Sequence, residues 1–177
     1  MVERTDAEVL VAGGGMVGLA LAVALAEAGL EVVVVDRLDP ARQREDAFDG
    51  RSSAIARGSQ QVLQGLGLWA GMAGAAAPIL DIRISDGRAY DTGAGGTRAG
   101  GASGLHLHFS HAETGEAEGG PLGWIVENTA IRRASHDRAR AVGRLDLRAP
   151  ADFAEVTRRP GGVTARLADG ASVKARL

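Results

Sequence analysis

Hydrophobic residues occur in short blocks along the chain, and the first blocks predict a strand, a helix and a second strand. Val9–Ala12 is an apolar run that ends at glycines, which is typical of a buried strand. A helix rich in alanine and leucine follows to about Ala28, with Gly29 as its expected stop. Val32–Val35 is a β-branched run that predicts a second buried strand. Together these blocks predict a βαβ unit.

Two segments in the middle of the chain alternate apolar and polar residues, and each predicts a half-buried strand. Ile82 and Ile84 alternate with charged residues in the first segment, and Leu107 and Phe109 alternate with histidines in the second. Residues 92–104 lie between them, are rich in glycine and have no apolar period. We therefore expect a loop over residues 92–104.

Two further helices are expected after the βαβ unit. Apolar positions between residues 62 and 66 have helical spacing, and Ser59 is available as an N-cap. A second helix is expected at about residues 129–142. Ser135 and His136 occupy positions where a well-packed helix would carry leucine. We therefore expect this second helix to pack poorly.

The C-terminal part of the chain, from Arg144 onward, has the pattern of a β-meander. Leu145 and Leu147 indicate one strand and residues 153–157 another. The last two strands flank Asp169–Gly170, which is a strong hairpin dipeptide. The pattern as a whole predicts an α/β protein with a Rossmann-like βαβ unit and a C-terminal β-meander.

The glycines that follow the first strand carry the clearest chemical signal. Gly13, Gly15 and Gly18 fit the pattern G-x-G-x-x-G, and Asp36 ends the second strand 23 residues after Gly13. The first glycine permits a sharp turn, the second a close approach of a pyrophosphate, and the third close packing of the helix on the strand. A carboxylate at position 36 can accept hydrogen bonds from ribose hydroxyls. The unit therefore predicts a dinucleotide site.

The residues alone leave the identity of the dinucleotide open. Asp36 suits NAD or FAD, whereas Arg37 beside it could hold the phosphate of NADP. A glycine-rich turn in an ordinary βαβ unit is the alternative without a ligand. Arg51 follows a polar loop and could reach a cofactor phosphate or an anionic substrate, or it could be an exposed loop arginine.

Composition excludes several other functions. The net charge is −2 and aromatic residues make up 3% of the chain, so nothing indicates a nucleic-acid partner. The absence of cysteine excludes disulfides, thiolate catalysis and cysteine metal sites. His106, His108 and His111 lack a clear acidic fourth ligand, so we predict solvent-facing strand residues and no metal site.

The N-terminal segment bears on localisation. Residues 9–26 are uncharged, but four glycines interrupt them, and the glycine motif explains these better than a transmembrane helix does. Acidic residues outnumber Arg4 before this segment, whereas a signal peptide needs a basic start. We expect a cytoplasmic protein and leave peripheral contact with a membrane open.

Three segments together give the chain a family resemblance. They are Gly13–Gly18 with Asp36, residues 49–59 (DGRSSAIARGS), and residues 123–133, which contain GWIVEN followed by IRR. With them, the chain resembles the ubiquinone-biosynthesis branch (UbiH/VisC-like) of the flavin-dependent aromatic hydroxylases. The fold implied is the FAD-binding domain of class A flavoprotein monooxygenases, and the cofactor implied is FAD.

The resemblance also implies roles for individual residues. Gly13, Gly15 and Gly18, with Met16 and Val17 between them, would hold the FAD pyrophosphate. Asp36, which is more often glutamate in this family, would bind the adenosine ribose beside Arg37. Arg51 would lie along the diphosphate and ribityl chain, and Glu127 would contact the flavin.

The reaction implied by the resemblance is hydroxylation of an aromatic ring, with a prenylated phenol of ubiquinone biosynthesis as the expected substrate. NAD(P)H would reduce the flavin and O2 would supply the inserted oxygen atom. The substrate would bring the protein to the inner membrane or into a biosynthetic complex.

Such enzymes are more than twice as long as this chain. Residues 1–177 therefore resemble the N-terminal part of an FAD-binding domain, with residues 79–126 as the start of a substrate-domain sheet. We expect the chain to be an incomplete fragment, whose last strand, at residues 173–177, exposes an apolar face and an unpaired edge. The alternatives are a non-catalytic nucleotide-binding fragment, or another FAD- or NAD-dependent oxidoreductase that shares only the βαβ unit.

Overall fold

A computed structural model describes residues 5–43, 50–85, 90–91, 97–98, 106–113 and 120–177. The helices are α1 (Met16–Glu27), α2 (Pro40–Gln43), α3 (Arg57–Gly65) and α4 (Asn128–Ala141), with 3-10 helices at Trp69–Gly71, Ala73–Ala75 and His111–Glu113. The strands are β1 (Val9–Ala12), β2 (Val32–Val35), β3 (Ser52–Ala56), β4 (Ala76–Ile79), β5 (Asp81–Ser85), β6 (Tyr90–Asp91), β7 (Thr97–Arg98), β8 (His106–Ser110), β9 (Gly123–Glu127), β10 (Leu145–Arg148), β11 (Phe153–Arg159), β12 (Gly162–Leu167) and β13 (Ser172–Ala175).

The predicted βαβ unit supplies the first two strands of a three-stranded parallel sheet, whose strand order is β1-β2-β10. The sheet differs from the expectation in one strand. Leu145 and Leu147 lie on β10, which pairs with β2 in parallel and is not part of the C-terminal meander. Alternation of apolar residues identifies a strand but not its partner, and here α4 leads the chain back to the first sheet.

Strand β2 is buried on both faces, and its two faces belong to two different cores. Val32 and Val34 pack with α1 and with Ala139 of α4. Val33 and Val35 pack against the apolar side chains of β12 and β13. The parallel sheet is therefore the middle layer between helices and the meander, which explains its unbroken valine run.

A second sheet with strand order β3-β9-β4 packs against α3 and α4. Strand β3 was not predicted, and the expected helix start at Ser59 is wrong, because α3 begins at Arg57 with Ala56 as its N-cap residue. Serine and alanine carry little strand signal of their own. The strand forms because residues 52–56 pair with all five residues of β9.

Helix α4 packs well, so the expectation of poor packing is wrong. Ser135 and His136 are 2% and 1% exposed, and the Ser135 hydroxyl donates to the Ile131 carbonyl at 2.8 Å. A β-carbon placed on Gly71 would lie 2.9 Å from the Ala134 side chain, so the neighbouring 3-10 segment approaches α4 closely. Small residues allow this contact where leucines would not fit.

The predicted meander consists of β11, β12 and β13, with the final hairpin turning at Asp169–Gly170 as expected. The expected exposed apolar face of the final strand is wrong except at its last residue, because only Leu177, at 78%, is exposed among the apolar residues of 173–177. Val173 and Ala175 are 0% and 2% exposed because they face β2. The edge of β13 is also paired, since the backbone amides of Asp6 and Ala7 donate to the Lys174 carbonyl at 2.8 and 3.2 Å.

The alternation correctly predicted strands β5 and β8, which pair with each other in a separate two-stranded sheet. Their apolar side chains are more exposed than those of half-buried strands. Ile82, Ile84, Leu107 and Phe109 are 39%, 52%, 61% and 47% exposed. Most of the loop expected at residues 92–104 lies outside the described residues, and residues 97–98 form β7, which pairs with β6. The assignment of residues 79–126 to a substrate-domain sheet stays a prediction.

Candidate cofactor site

The glycine loop between β1 and α1 has the geometry that each motif glycine requires. Gly13 has a φ of +100°, and its amide donates to the Val35 carbonyl at 2.8 Å. A β-carbon on Gly18 would lie 1.9 Å from the Gly13 carbonyl oxygen, so no side chain fits there. A β-carbon on Gly15 would meet nothing within 4 Å. The loop is therefore closed on the side of the sheet and open at Gly15.

The first turn of α1 leaves its backbone amides available to an anion. Gly15 is the N-cap residue and supplies no side-chain hydrogen bond, and the first turn of α1 contains no acidic residue. Of the two residues between the motif glycines, Met16 packs into the core beneath the β3-β9-β4 sheet, whereas Val17 is 82% exposed. The free amides and the helix dipole attract negative charge to this end of α1.

Asp36 connects the end of β2 to the glycine loop. One carboxylate oxygen, Oδ2, accepts a hydrogen bond from the Gly14 amide at 2.5 Å. The other oxygen, Oδ1, accepts from the Leu38 amide at 2.7 Å. The predicted ribose-binding acid therefore lies directly beside the motif, and each of its carboxylate oxygens accepts a hydrogen bond from a backbone amide.

A cleft of about 540 Å³ opens beside Asp36, at the carboxyl ends of β2 and β10. Its lining residues are Arg37, Leu38, Asp39, Arg42, Arg51, Arg132 and Pro150. Four arginines thus converge from the end of β2, from α2, from the start of β3 and from α4. Such a cluster of guanidinium groups is suited to phosphate oxygens, which accept their hydrogen bonds in pairs.

Arg51 and Glu127 lie close together in the fold, as neighbours of one strand pair. Ser52, the residue after Arg51, is the register partner of Glu127. The Arg51 carbonyl accepts a hydrogen bond from the Asn128 amide at 3.1 Å. Glu127 is exposed at the N-cap position of α4 and is not among the residues that line the arginine cleft. Arg37 and Arg51 therefore line the same cleft, whereas Glu127 lies near Arg51 in the fold but outside the cleft lining.

Sequence reasoning missed two arginines of this cleft. Arg42 lies on α2, within a segment expected to be only an exposed loop. Arg132 lies on α4, one turn from its start, and its Nη2 donates to the Thr129 hydroxyl at 3.3 Å. A signal existed for Arg132, because it lies in the IRR segment at residues 131–133 that helps to carry the family resemblance.

The histidines expected to face solvent lie at the edge of the β5-β8 sheet. His108 is exposed, and its Nε2 lies 2.8 Å from Asp81 Oδ1. This hydrogen bond holds the pKa of Asp81 below its ordinary value. Within the described parts of the chain, no group of three or more histidine or acidic side chains is arranged to hold a metal ion.

Comparison with known proteins assigns the family of this fold. The model of the family described as "FAD binding domain" matches residues 6–177. The chain belongs to this family. The match runs far beyond the βαβ unit, which counts against an oxidoreductase that shares only that unit. It also confirms FAD as the cofactor expected of the fold.

Curated relatives confirm the resemblance inferred from the sequence. The chain is 42% identical over 171 residues to ubiquinone hydroxylase UbiL of Rhodospirillum rubrum, covering 97% of the chain and 36% of the relative. It is 31% identical to 3-demethoxyubiquinol 3-hydroxylase of Escherichia coli, covering 96% of the chain and 39% of the relative. The chain therefore spans little more than a third of the length of these relatives.

Solved structures confirm the fold. OxyS anhydrotetracycline hydroxylase from Streptomyces rimosus superposes with a TM-score of 0.67 at 20% identity, over 96% of this chain and 30% of that one. The p-nitrophenol 4-monooxygenase PnpA from Pseudomonas putida superposes with a TM-score of 0.64 at 22% identity, over 96% and 38%. The fold is the FAD-binding domain of class A flavoprotein monooxygenases. In the ranges that the structure describes, no helix is long and apolar enough to cross a membrane.

Proposed function

We propose that this chain is the FAD-binding part of an aromatic hydroxylase that acts on a prenylated phenol in ubiquinone biosynthesis. The observation that carries the proposal is the 42% identity to a ubiquinone hydroxylase over 97% of the chain. The arginine cleft beside the glycine loop supports it, because the residues present suit a dinucleotide with a charged diphosphate.

The glycine loop would bind the diphosphate through the backbone. Gly15 leaves open the space that the side chain of any other residue would occupy. Gly18 lets the first turn of α1 lie directly against the loop. Met16 and Val17 would place their amides at the phosphates. Asp36 would accept hydrogen bonds from the adenosine ribose.

The arginines would neutralise the diphosphate from the other side. Arg51 and Arg37 are the sequence-predicted members of this group, and Arg42 and Arg132 extend it. Guanidinium groups remain charged at every physiological pH, so this attraction does not depend on protonation. Glu127, at the N-cap position of α4, would be the polar residue nearest the flavin.

Bound FAD would supply the redox chemistry, accepting hydride from NAD(P)H and activating O2 for insertion into the ring. The residues of this chain would bind and orient the cofactor, and we assign no proton transfer to any of them. We also propose that the protein is cytoplasmic and makes peripheral contact with the inner membrane. The choice between NADH and NADPH stays open.

A second candidate is a nucleotide-binding fragment without turnover of its own. The exposed apolar face of the β5-β8 sheet favours it, because a substrate pocket requires such a face to be covered. The length of the relatives favours it too, since the chain covers 36% to 39% of them. The two candidates share the cofactor site and differ only in turnover.

Titration of FAD into the 177-residue chain, followed by flavin fluorescence, tests the shared part. Gly15→Val should raise the Kd at least tenfold, because the new side chain would occupy the space left for phosphate. The matched control is Gly58→Val, since Gly58 lies near the start of another helix, α3, and likewise has nothing within 4 Å of its added β-carbon. Equal affinity in the two variants would remove the cofactor assignment.

A further inference from the structure

We propose that Asp36 has a second role, as a latch that holds the glycine loop in shape before any cofactor binds. Its carboxylate accepts hydrogen bonds from Gly14 in the loop and from Leu38 beyond β2, at 2.5 and 2.7 Å. Ribose binding alone would need neither of these two backbone contacts. The loop-holding part stands independently of the proposed function, and only its consequence for FAD affinity rests on that proposal.

The backbone of Asp36 is fixed as firmly as its side chain. Its amide donates to the Arg148 carbonyl at 3.1 Å, and its carbonyl accepts from the Ala151 amide at 2.8 Å. The residue is therefore anchored to the end of β10 and reaches from there to the loop after β1. This arrangement makes Asp36 a connection between three chain segments at the carboxyl edge of the parallel sheet.

Residue 14 fits this latch closely. Gly14 is buried, and a β-carbon added to it would lie 3.1 Å from the Asp36 β-carbon and 3.4 Å from both Asp36 Oδ2 and Leu147 Cδ1. The three-glycine run thus has a reason beyond the motif, because position 14 is not one of the G-x-G-x-x-G glycines. A side chain at position 14 would press on the acid that holds the loop.

The short side chain of Asp36 suits this contact. The carboxylate is joined to the backbone by one methylene group, which keeps it at the end of β2 and within reach of the Gly14 amide. The two backbone amides bind different carboxylate oxygens, and a carboxylate oxygen can accept more than one hydrogen bond. Holding the loop and accepting a ribose hydroxyl are therefore compatible roles for one carboxylate.

Hydrogen exchange of individual backbone amides in the FAD-free, 177-residue chain tests the latch. In Asp36→Ala, the Gly14 and Leu38 amides should exchange at least tenfold faster than in the wild type, while the Val33 amide within β2 should not change. Asp36→Asn is the second variant, for use if the alanine variant does not fold. Its amide nitrogen cannot accept a hydrogen bond, so at least one of the two backbone amides should exchange faster.

Asp39→Asn is the matched control. Asp39 lines the same cleft, and its carboxylate accepts a hydrogen bond from the Ala41 amide at 2.8 Å, within its own segment of the chain. It should leave the exchange of Gly14 unchanged. Unchanged exchange of Gly14 and Leu38 in the Asp36 variants would overturn the latch.

The FAD affinity of the same variants separates this inference from the proposed function. Unchanged exchange with weakened FAD binding would mean that Asp36 serves the ribose alone. Faster exchange with unchanged FAD affinity would support the latch and remove Asp36 from the cofactor contacts.

Discussion

Strand β2 and the β5-β8 sheet both carry large apolar side chains, which are buried in β2 and exposed in the β5-β8 sheet. The four valines of β2 are at most 3% exposed. Ile82, Ile84, Leu107 and Phe109 of the β5-β8 sheet are 39% to 61% exposed. The difference lies in what covers each sheet and also in the sequence, because β2 is an unbroken valine run whereas apolar and polar residues alternate in β5 and β8.

Strand β2 is covered on both faces from within the chain, by α1 and α4 on one side and by the meander on the other. Across the described ranges, the apolar residues of β5 and β8 belong to none of the buried clusters. The core around β2 is therefore built from within the described residues, whereas the apolar face of the β5-β8 sheet is exposed. That residues 79–126 begin a substrate-domain sheet stays a prediction.

The largest expected effect concerns turnover. We predict that the 177-residue chain with FAD, NAD(P)H and a simple prenylated phenol forms no hydroxylated product, because its apolar sheet face stays open to water. Slow oxidation of NAD(P)H without product is the most that we expect. Mass spectrometry of the phenol and absorbance of NAD(P)H measure the two quantities. Stoichiometric hydroxylation would contradict the comparison, since the exposed sheet would then suffice for catalysis.

The next effect is on the packing of the cofactor end. Gly18→Ala should lower the free energy of unfolding by about 3 kcal/mol, because the new β-carbon would lie 1.9 Å from the Gly13 carbonyl oxygen. Gly58→Ala makes the same change in α3, where the space is empty, and should raise stability by about 0.5 kcal/mol. Urea unfolding followed by circular dichroism measures both variants. Equal stability in the two would show that the glycine loop is not closely packed.

A paired truncation sharpens the comparison of the two sheets. Val34→Ala should cost about 2 kcal/mol, because Val34 is 0% exposed and its removal leaves a cavity. Ile84→Ala removes more carbon but should cost only about 0.5 kcal/mol, because Ile84 is already 52% exposed. The same urea experiment decides the comparison. A larger loss for Ile84→Ala would mean that the β5-β8 face is covered in solution.

The sequence predicted the elements with long or regular apolar patterns, namely the βαβ unit, α4 and the final hairpin. It failed where pairing depends on distant residues. Leu145 and Leu147 alternate as a meander strand would, but their partner is β2, more than 100 residues earlier. Ser52–Ala56 forms a strand only because β9 supplies its partner. Local pattern contains no information on such partners.

The candidate site was predictable where a motif fixes the spacing and less so elsewhere. Gly13, Gly15, Gly18 and Asp36 meet because one βαβ unit brings them together. Arg42 and Arg132 join Arg37 and Arg51 through α2 and α4, whose positions depend on tertiary packing. The hydrogen bond from the Gly14 amide to Asp36 could not be predicted from the sequence either, since the motif describes only contacts to a ligand.

The smallest expected effect is a pH dependence confined to the β5-β8 sheet. The hydrogen bond from His108 lowers the pKa of Asp81, so ionised Asp81 supports the pairing of β5 with β8. A lowered carboxyl pKa gives stability that is present above the ordinary value of about 3.9 and is lost as pH falls through the folded value. The loss comes from protonation of Asp81, because a neutral carboxyl accepts a weaker hydrogen bond than a carboxylate does. Protection of the β5-β8 amides against hydrogen exchange, corrected for intrinsic rates, should therefore fall below about pH 4 in the wild type. In Asp81→Asn it should be lower at neutral pH and independent of pH in this range.

The Ala165 amide of β12 is the internal reference, because acid unfolding of the whole chain would expose both regions together. A parallel loss of protection at Ala165 would show that the β5-β8 sheet unfolds in acid together with the covered core and not by itself.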